Sequence, residues 1–172
     1  MFAFPVSDRS SRVRSPPAFT EVNPAVLIER SVILSQHKLE LNNIRLAVEA
    51  PPGLPTILGD YNQLQQCIIN LIFNAIDAMP DGGRLDLTAG TDSDKKMVRI
   101  AVSDTGQGMA SEDQAHIFEP FFTTKQEGYG VGLGLATVFG IVEHHKGSIT
   151  FESKKGIGTT FTIHLPFAGQ VK

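Results

Sequence analysis

Behind Asn23-Pro24 the apolar residues Val26, Leu27, Ile33, Leu34 and Leu41 recur at helical spacing and predict a helix to about residue 42. Asparagine before proline reads as a helix start: the amide caps, and proline takes the first helical position, where its missing N–H is no loss. Ile44, Leu46 and Val48 then alternate as a strand, which Pro51-Pro52-Gly53 breaks. Asp60-x-x-Gln63 has the form of a capping box and opens a second helix. Its apolar face is Leu64, Cys67, Ile68, Leu71, Ala75, Ile76 and Met79, and Pro80-Asp81-Gly82-Gly83 turns the chain. Strands are predicted over 84–91 and 97–103, joined by the polar Asp92-Ser93-Asp94-Lys95. Glycines crowd between 106 and 134; 133–145 then reads as a helix that Gly147 ends. Strands over 148–153 and 159–165, around a Gly156-Ile157-Gly158 turn, complete the pattern. This order predicts an α/β (α+β) two-layer sandwich: a mixed, mostly antiparallel sheet of about five strands with three main helices on one face.

Composition narrows the class. A chain of 172 residues is long enough for one domain with a real core and needs no staple. Hydrophobic content of 41% and charged content of 19% are those of an ordinary globular protein. Lys and Arg number 15 against 18 Asp and Glu, for a net charge of -3, which argues against nucleic acid as a partner held by bulk positive charge. The single cysteine excludes an internal disulfide and a cysteine-rich zinc cluster. No apolar run approaches ~20 residues and no signal peptide opens the chain, so a cytoplasmic location is expected. Residues 1–20 mix Pro, Ser and Arg without period and read as a linker or the remnant of a preceding domain; 21–167 form the domain, and 168–172 a tail.

Four features carry candidate chemistry. Gln66, Asn70, Asn74 and Asp77 share one face of the second helix, opposite its apolar stripe. A polar face is ordinary on a surface helix, but asparagine is a poor helix former, and two sit mid-helix one turn apart. Amide oxygens are hard ligands suited to Mg2+ beside phosphate. Asp104-Thr105-Gly106-Gln107-Gly108 follows a strand directly. Its carboxylate can accept from an exocyclic amine while the glycines let backbone approach a flat ring; an Asx turn explains the same residues without a ligand. Phe118-Glu119-Pro120-Phe121-Phe122 reads first as a packing plug, and Lys125 beyond it as either a phosphate counter-charge or a solvated lysine. Gly128-Tyr129-Gly130-Val131-Gly132-Leu133-Gly134 opens a helix, where free N–H groups and the macrodipole favour an anion. It is neither a P-loop nor a well-placed dinucleotide turn.

In this order and spacing, the four features resemble the ATP-binding catalytic domain of sensor histidine kinases, the Bergerat-type fold shared with gyrase, Hsp90 and mismatch-repair ATPases. Asn70-Leu-Ile-Phe-Asn74-Ala is similar to the family's N box, Asp104-Thr-Gly-Gln-Gly to its first glycine box, Phe118-Glu-Pro-Phe-Phe to its F box, and Gly130-Val-Gly-Leu-Gly-Leu to its second glycine box. The closing Gly156-Ile-Gly-Thr-Thr-Phe is typical as well. The resemblance covers about residues 20–167. It implies ATP and Mg2+ as cofactors: Asn74 as the metal ligand, Asp104 as acceptor from the adenine amino group, and Gly106 and Gly108 shaping the base pocket. Gly130, Val131, Gly132, Leu133 and Gly134 would cradle the phosphates. Only Gln126 to Tyr129 separate Lys125 from Gly130, which is similar to the short lids of nitrogen-regulation-type kinases. Two departures matter. Asp77 stands where many members carry a Lys or Arg that touches the γ-phosphate, and this shifts the burden to Lys125. Asn70 stands where the ATPases carry a water-activating glutamate, which favours phosphoryl transfer over hydrolysis.

None of the five histidines, His37, His116, His144, His145 and His164, has the sequence context of a phosphorylated acceptor. The resemblance therefore implies partners beyond this chain: a histidine-bearing dimerisation domain of a homodimeric parent and a downstream response regulator, with this domain alone monomeric. The competing readings are an ATPase of the gyrase/Hsp90 type and a non-catalytic nucleotide sensor.

Overall fold

The computed structural model describes residues 19–123 and 133–170. Among them the chain runs β1 (Thr20–Val22), α1 (Pro24–Leu41), β2 (Ile44–Glu49), β3 (Ile57–Gly59), α2 (Tyr61–Asp77), β4 (Gly83–Asp92), β5 (Met97–Asp104), α3 (Ser111–Gln114), α4 (Gly134–His144), β6 (Ser148–Lys154) and β7 (Gly158–Pro166). The main sheet has the order β2-β4-β5-β7-β6; β2 pairs with β4 in parallel and all other pairs are antiparallel. Inward positions alternate along the central strands: Leu85 and Leu87, then Val98, Ile100 and Val102, then Phe161, Ile163 and Leu165 are all buried. The intervening Asp86, Thr88, Arg99, Ser103, Thr160 and Thr162 face outward, as expected of an antiparallel sheet with one wet side. Helix α2 packs between α1 and α4 on the covered face. The predicted sandwich is the observed one. No helix among the described residues is long and apolar enough to cross a membrane.

The central helix follows its sequence closely. Every residue of the expected core face, Leu64 to Met79, is buried, and Ile72 joins it. Burial pushes the Cys67 thiol up to about 12, so it is an inert core group. Helix α1 is capped as expected, with Asn23 accepting from Ala25 and Val26 N–H, but it presents a different face to the core. Leu27, Ile28, Ser31, Ser35 and Leu39 are buried, whereas Val26, Ile33, Leu34 and Leu41 are exposed. Two serines can occupy the inner face because each hydroxyl donates back to the carbonyl one turn earlier, Ser31 to Leu27 at 2.7 Å and Ser35 to Ser31 at 2.8 Å. Three further elements have no counterpart in the apolar pattern: the four-residue α3, and β1 and β3, which are three residues each and pair antiparallel as a separate ribbon.

The capping box at the start of α2 is half present. Asp60 Oδ1 accepts from Gln63 N–H at 3.1 Å, but the Asp60 N–H goes to His145 Nε2, also at 3.1 Å. His145 Nδ1 lies 2.7 Å from Ile141 O, so it donates there, and one neutral tautomer satisfies both contacts. Phe19 stacks on the ring at 4.9 Å, and a Cβ on Gly59 would press against the imidazole. The helix does not end on Gly147 as its sequence implies. Lys146 takes the left-handed position at φ 57, and Gly147 is needed because its α-carbon lies against the His164 carbonyl.

Burial holds His145 below the usual histidine pKa; the bond to Ile141 O opposes this, His144 adds to it and Asp60 opposes it. The unfolded chain therefore binds the proton more readily, and His145 contributes stability that is complete above about pH 6.5 and is lost as pH falls below it. His164, whose pKa is also lowered by burial, adds a loss of the same sign. Urea unfolding between pH 7.5 and 5 should show a falling midpoint, and His145→Gln should flatten that fall while lowering the midpoint at pH 7.5.

Candidate functional site

Strand β5 ends in a buried carboxylate. Register with its two neighbours sets Asp104 opposite Leu85 of β4 and Thr159 of β7. Its Oδ1 accepts from Gly106 N–H at 2.8 Å, the Asx turn, and from Thr159 N–H at 3.3 Å. Both bonds use one oxygen, which leaves Oδ2 as an acceptor without a hydrogen bond among the described residues. Burial raises the Asp104 pKa, and the two backbone bonds pull it back.

The loop after Asp104 is clamped by backbone on both sides. Gln107 N–H donates to Ala78 O at the end of α2 (3.0 Å), and Gln107 O accepts from Gly156 N–H in the β6–β7 turn (2.6 Å). Gly106 lies against the Ala78 carbonyl. Gly108 is left-handed, φ 67, and a Cβ there would collide with the Lys154 carbonyl; Gly158, φ 147, lies equally close to the Asp104 carbonyl. Any side chain at either position forces the hairpin off the loop.

Beneath this clamp runs a polar network that sequence reasoning missed. Ser153 Oγ accepts from Met109 N–H at 2.8 Å and lies 2.8 Å from Thr159 Oγ1. Gln114 Nε2, at the end of the four-residue α3, donates to Met109 O and Ser153 O at 3.2 and 3.3 Å. The Gly-Ile-Gly-Thr-Thr string was a signal for Thr159, but nothing in the local sequence marks Ser153 or Gln114, which meet only through the fold.

On α2 the four stripe residues do share a face. Asn70 and Asn74 are half-buried, while Gln66 and Asp77 are exposed. Asn70 Nδ2 reaches Gly134 O, at the first residue of α4, at 3.5 Å. The N-terminus of α4 has no side-chain cap, and a side chain at Gly134 would meet no described atom within 4 Å. Leu133, just before it, is exposed. Lys125, Gly130, Val131 and Gly132 lie outside the described residues. Asp104, Gly106 and Gly108 thus meet at the carboxyl end of α2, whose face carries Asn70 and Asn74 along to the start of α4.

The aromatic segment is a plug in part. Ile117 is buried and Phe118 packs on Phe139, Phe151 and Phe161 at 5.4 to 6.4 Å between centroids. Phe121 departs from that reading: it is 73% exposed, because its left-handed backbone, φ 67, turns the side chain outward.

A mixed sheet layered under three helices, with a carboxylate at a strand end and a paired-asparagine helix over it, is the architecture of one class of ATP-binding domain. The chain belongs to the family of histidine kinase-, DNA gyrase B- and HSP90-like ATPases, whose profile matches residues 59–169. It is similar to sensor histidine kinase ZraS of Escherichia coli, 40% identical over 149 residues, 87% of this chain and 31% of that protein. It is also similar to sporulation kinase E of Bacillus subtilis, 36% identical over 148 residues, 86% of this chain and 20% of that protein. The chain therefore spans between a fifth and a third of the length of these curated relatives. Among solved structures, the catalytic domain of histidine kinase ThkA superposes with a TM-score of 0.76 at 33% identity, covering 87% of this chain and 95% of that one. Full-length ShkA in complex with AMPPNP gives 0.79 at 32% identity, covering 90% of this chain and 32% of that one.

The Ser153 network makes the loop testable separately from any ligand. Ser153→Ala leaves the Met109 N–H unpaired, at a cost of about 1–2 kcal/mol. Amide exchange at Met109 should accelerate, with Ser153→Thr restoring much of the protection.

Proposed function

We propose that this chain is the ATP-binding catalytic domain of a sensor histidine kinase, which presents the γ-phosphate of Mg-ATP to a histidine on a separate dimerisation domain. The observation that carries the reading is the Asp104 carboxyl, buried at a strand end with Oδ1 committed to backbone and Oδ2 left to accept from an amino group. Gly106 and Gly108, pressed against the Ala78 and Lys154 carbonyls, line a surface that a flat base can approach. At the other end, the uncapped N-terminus of α4 offers N–H groups and a positive dipole end to phosphate. In this reading Lys125, Gly130, Val131, Gly132 and Leu133 complete the phosphate cradle, under a short lid of the nitrogen-regulation type. Residues 21–167 make up the domain of a homodimeric parent, 1–20 a linker or the remnant of a preceding domain, and 168–172 a tail.

The residues present fit a magnesium ion of one kind only. Among the described residues no group of three or more His, Cys, Asp or Glu side chains can hold a metal. An ion there would take most of its ligands from phosphate oxygens and water, with the Asn74 amide oxygen as its protein ligand, and would supply charge neutralisation to the phosphate oxygens. Asn70 offers an amide and not a carboxylate, so position 70 supplies no general base for water, and transfer to a positioned acceptor is favoured over hydrolysis. The acceptor histidine, a response regulator downstream and a cytoplasmic setting complete the proposal. The solved complex of ThkA with the response regulator protein TrrA supports that partner class.

Two substitutions probe the assignment. Asp104→Asn keeps an oxygen for the Gly106 and Thr159 N–H groups but places a donor where the adenine amine donates. Adenine nucleotides should bind about 10- to 100-fold more weakly, since a charge-assisted bond is worth roughly 1.5–3 kcal/mol, while inorganic triphosphate should change little. Because its pKa is raised by burial, wild-type ATP affinity should fall on acidification at a higher pH than an ordinary carboxylate predicts; calorimetric titration across pH reads both effects.

With a histidine-bearing helical hairpin supplied in trans, γ-labelled ATP should give acid-labile phosphate on the hairpin and none on this chain. Asn74→Ala should abolish that labelling. Stoichiometric labelling of this chain alone, or full transfer by Asn74→Ala, would overturn the reading.

A further inference from the structure

Two polar contacts show that α2 and α4 run antiparallel against each other. The start of α2 meets the end of α4 at Asp60 and His145, and the middle of α2 meets the start of α4 at Asn70 and Gly134. About ten residues of helix, roughly 15 Å, separate the two contacts. They are unequal. Asn70 Nδ2 reaches Gly134 O only at 3.5 Å and on an exposed surface, which makes a weak bond. Val138, Ile141 and Val142 bury the inner face of α4, but apolar burial has no direction and does little to fix the slide and tilt of the helix.

His145 supplies the direction. It is 2% exposed, its Nε2 accepts from the Asp60 N–H at 3.1 Å, and its Nδ1 donates to Ile141 O at 2.7 Å. Phe19, just ahead of β1, stacks on the ring at 15° and meets His144 edge-on. Among the described residues, the titratable groups acting on the imidazole are His144 beside it on α4 and Asp60 at the start of α2. Phe19 brings only a ring. Protonation breaks the joint, because a doubly protonated imidazole has no lone pair for the Asp60 N–H and sets donor against donor. The joint therefore has two discrete states, and only the neutral one ties α4 to α2.

We propose that His145 is a positioning residue for the phosphate end of the nucleotide site: by tying the end of α4 to the start of α2, it fixes where the beginning of α4 stands against Asn70. Phe19 belongs to the same joint, since its ring keeps water from the imidazole. The inference rests on the nucleotide reading of the α4 N-terminus. Polyphosphate binding and protonation of His145 then oppose each other, and the opposition is reciprocal. Its sign differs from that of plain electrostatics. Negative charge brought in by phosphate raises the pKa of a histidine, whereas the joint requires binding to lower it. Adenosine, which meets Asp104 and has no phosphate for α4, must do neither.

The test follows the His145 ring by NMR in the full 172-residue chain, titrated between about pH 8 and 5.5. The chain is taken alone, with adenosine, and with ATP in excess Mg2+. Mg-ATP should lower the pKa of His145 by about 0.7, the counterpart of about fivefold weaker binding to the protonated chain, and adenosine should leave it in place. Phe19→Ala should raise that pKa toward the ordinary histidine value. It should weaken Mg-ATP about fivefold near pH 6 and stay within about twofold of wild type near pH 8, with adenosine unchanged. His145→Gln, whose amide oxygen accepts at any pH, should lose less Mg-ATP affinity on acidification than the wild type. A His145 pKa that Mg-ATP leaves unmoved or raises would overturn the proposal. So would equal losses of adenosine and ATP in Phe19→Ala, or a His145→Gln variant with the full acid dependence of the wild type. Circular dichroism melting checks the variants, and if neither folds the wild-type titration decides alone. A wild-type chain that binds no adenine nucleotide at all would instead bring down the reading of the site beneath it.

Discussion

Three segments that are far apart in sequence meet through backbone atoms around Asp104, and the rest of the site is arranged by that meeting. The end of α2 touches the loop at Ala78, the end of β5 supplies the carboxylate, and the β6–β7 turn closes over both at Gly156 and Gly158. Because the contacts are carbonyl against α-carbon, they have no soft side chains to absorb a shift. Close packing of this sort transmits displacement with little loss. The position of Asp104 is consequently fixed by the sheet and by α2 together, and the polar face of α2 is fixed relative to it.

The balance of forces differs between the two layers. Against the sheet, α2 is held by apolar burial from Leu64 to Met79, which carries no titrating charge. At its start it is held by a single imidazole that must remain neutral, with Phe19 and Gly59 pressed against the ring. The helix that carries Asn70 and Asn74 is thus anchored by an apolar stripe along its length and by a titratable clasp at one end.

Much of this was legible in the sequence, and the exceptions share a cause. Helix α2 was readable because its apolar, capping and polar signals all agree. Helix α1 was not, because apolar residues lie on several of its sides and the face chosen by the core includes Ser31 and Ser35, whose polarity is cancelled locally by their own helix. The strands β1 and β3 are too short for any period to show. Asp104 and its glycines were visible as a local string, but Thr159, Ser153 and Gln114 gain their roles only when β7, β6 and α3 are brought beside that string. The left-handed Phe121 likewise depends on a backbone angle that no residue-type preference foretells.

The one parallel pairing in the sheet bears on how the chain folds. Strands β6 and β7 are joined by a three-residue turn and can zip as soon as both exist, whereas β2 must wait for everything from the Pro51-Pro52-Gly53 break to the end of α2 before Ile44 can pair with Gly83. Closing a loop about ten times longer costs roughly 2 kcal/mol more in chain entropy. During synthesis β2 leaves the ribosome first and finds its partner late, and α2, which bridges that interval, is the element whose formation sets when the sheet can be completed.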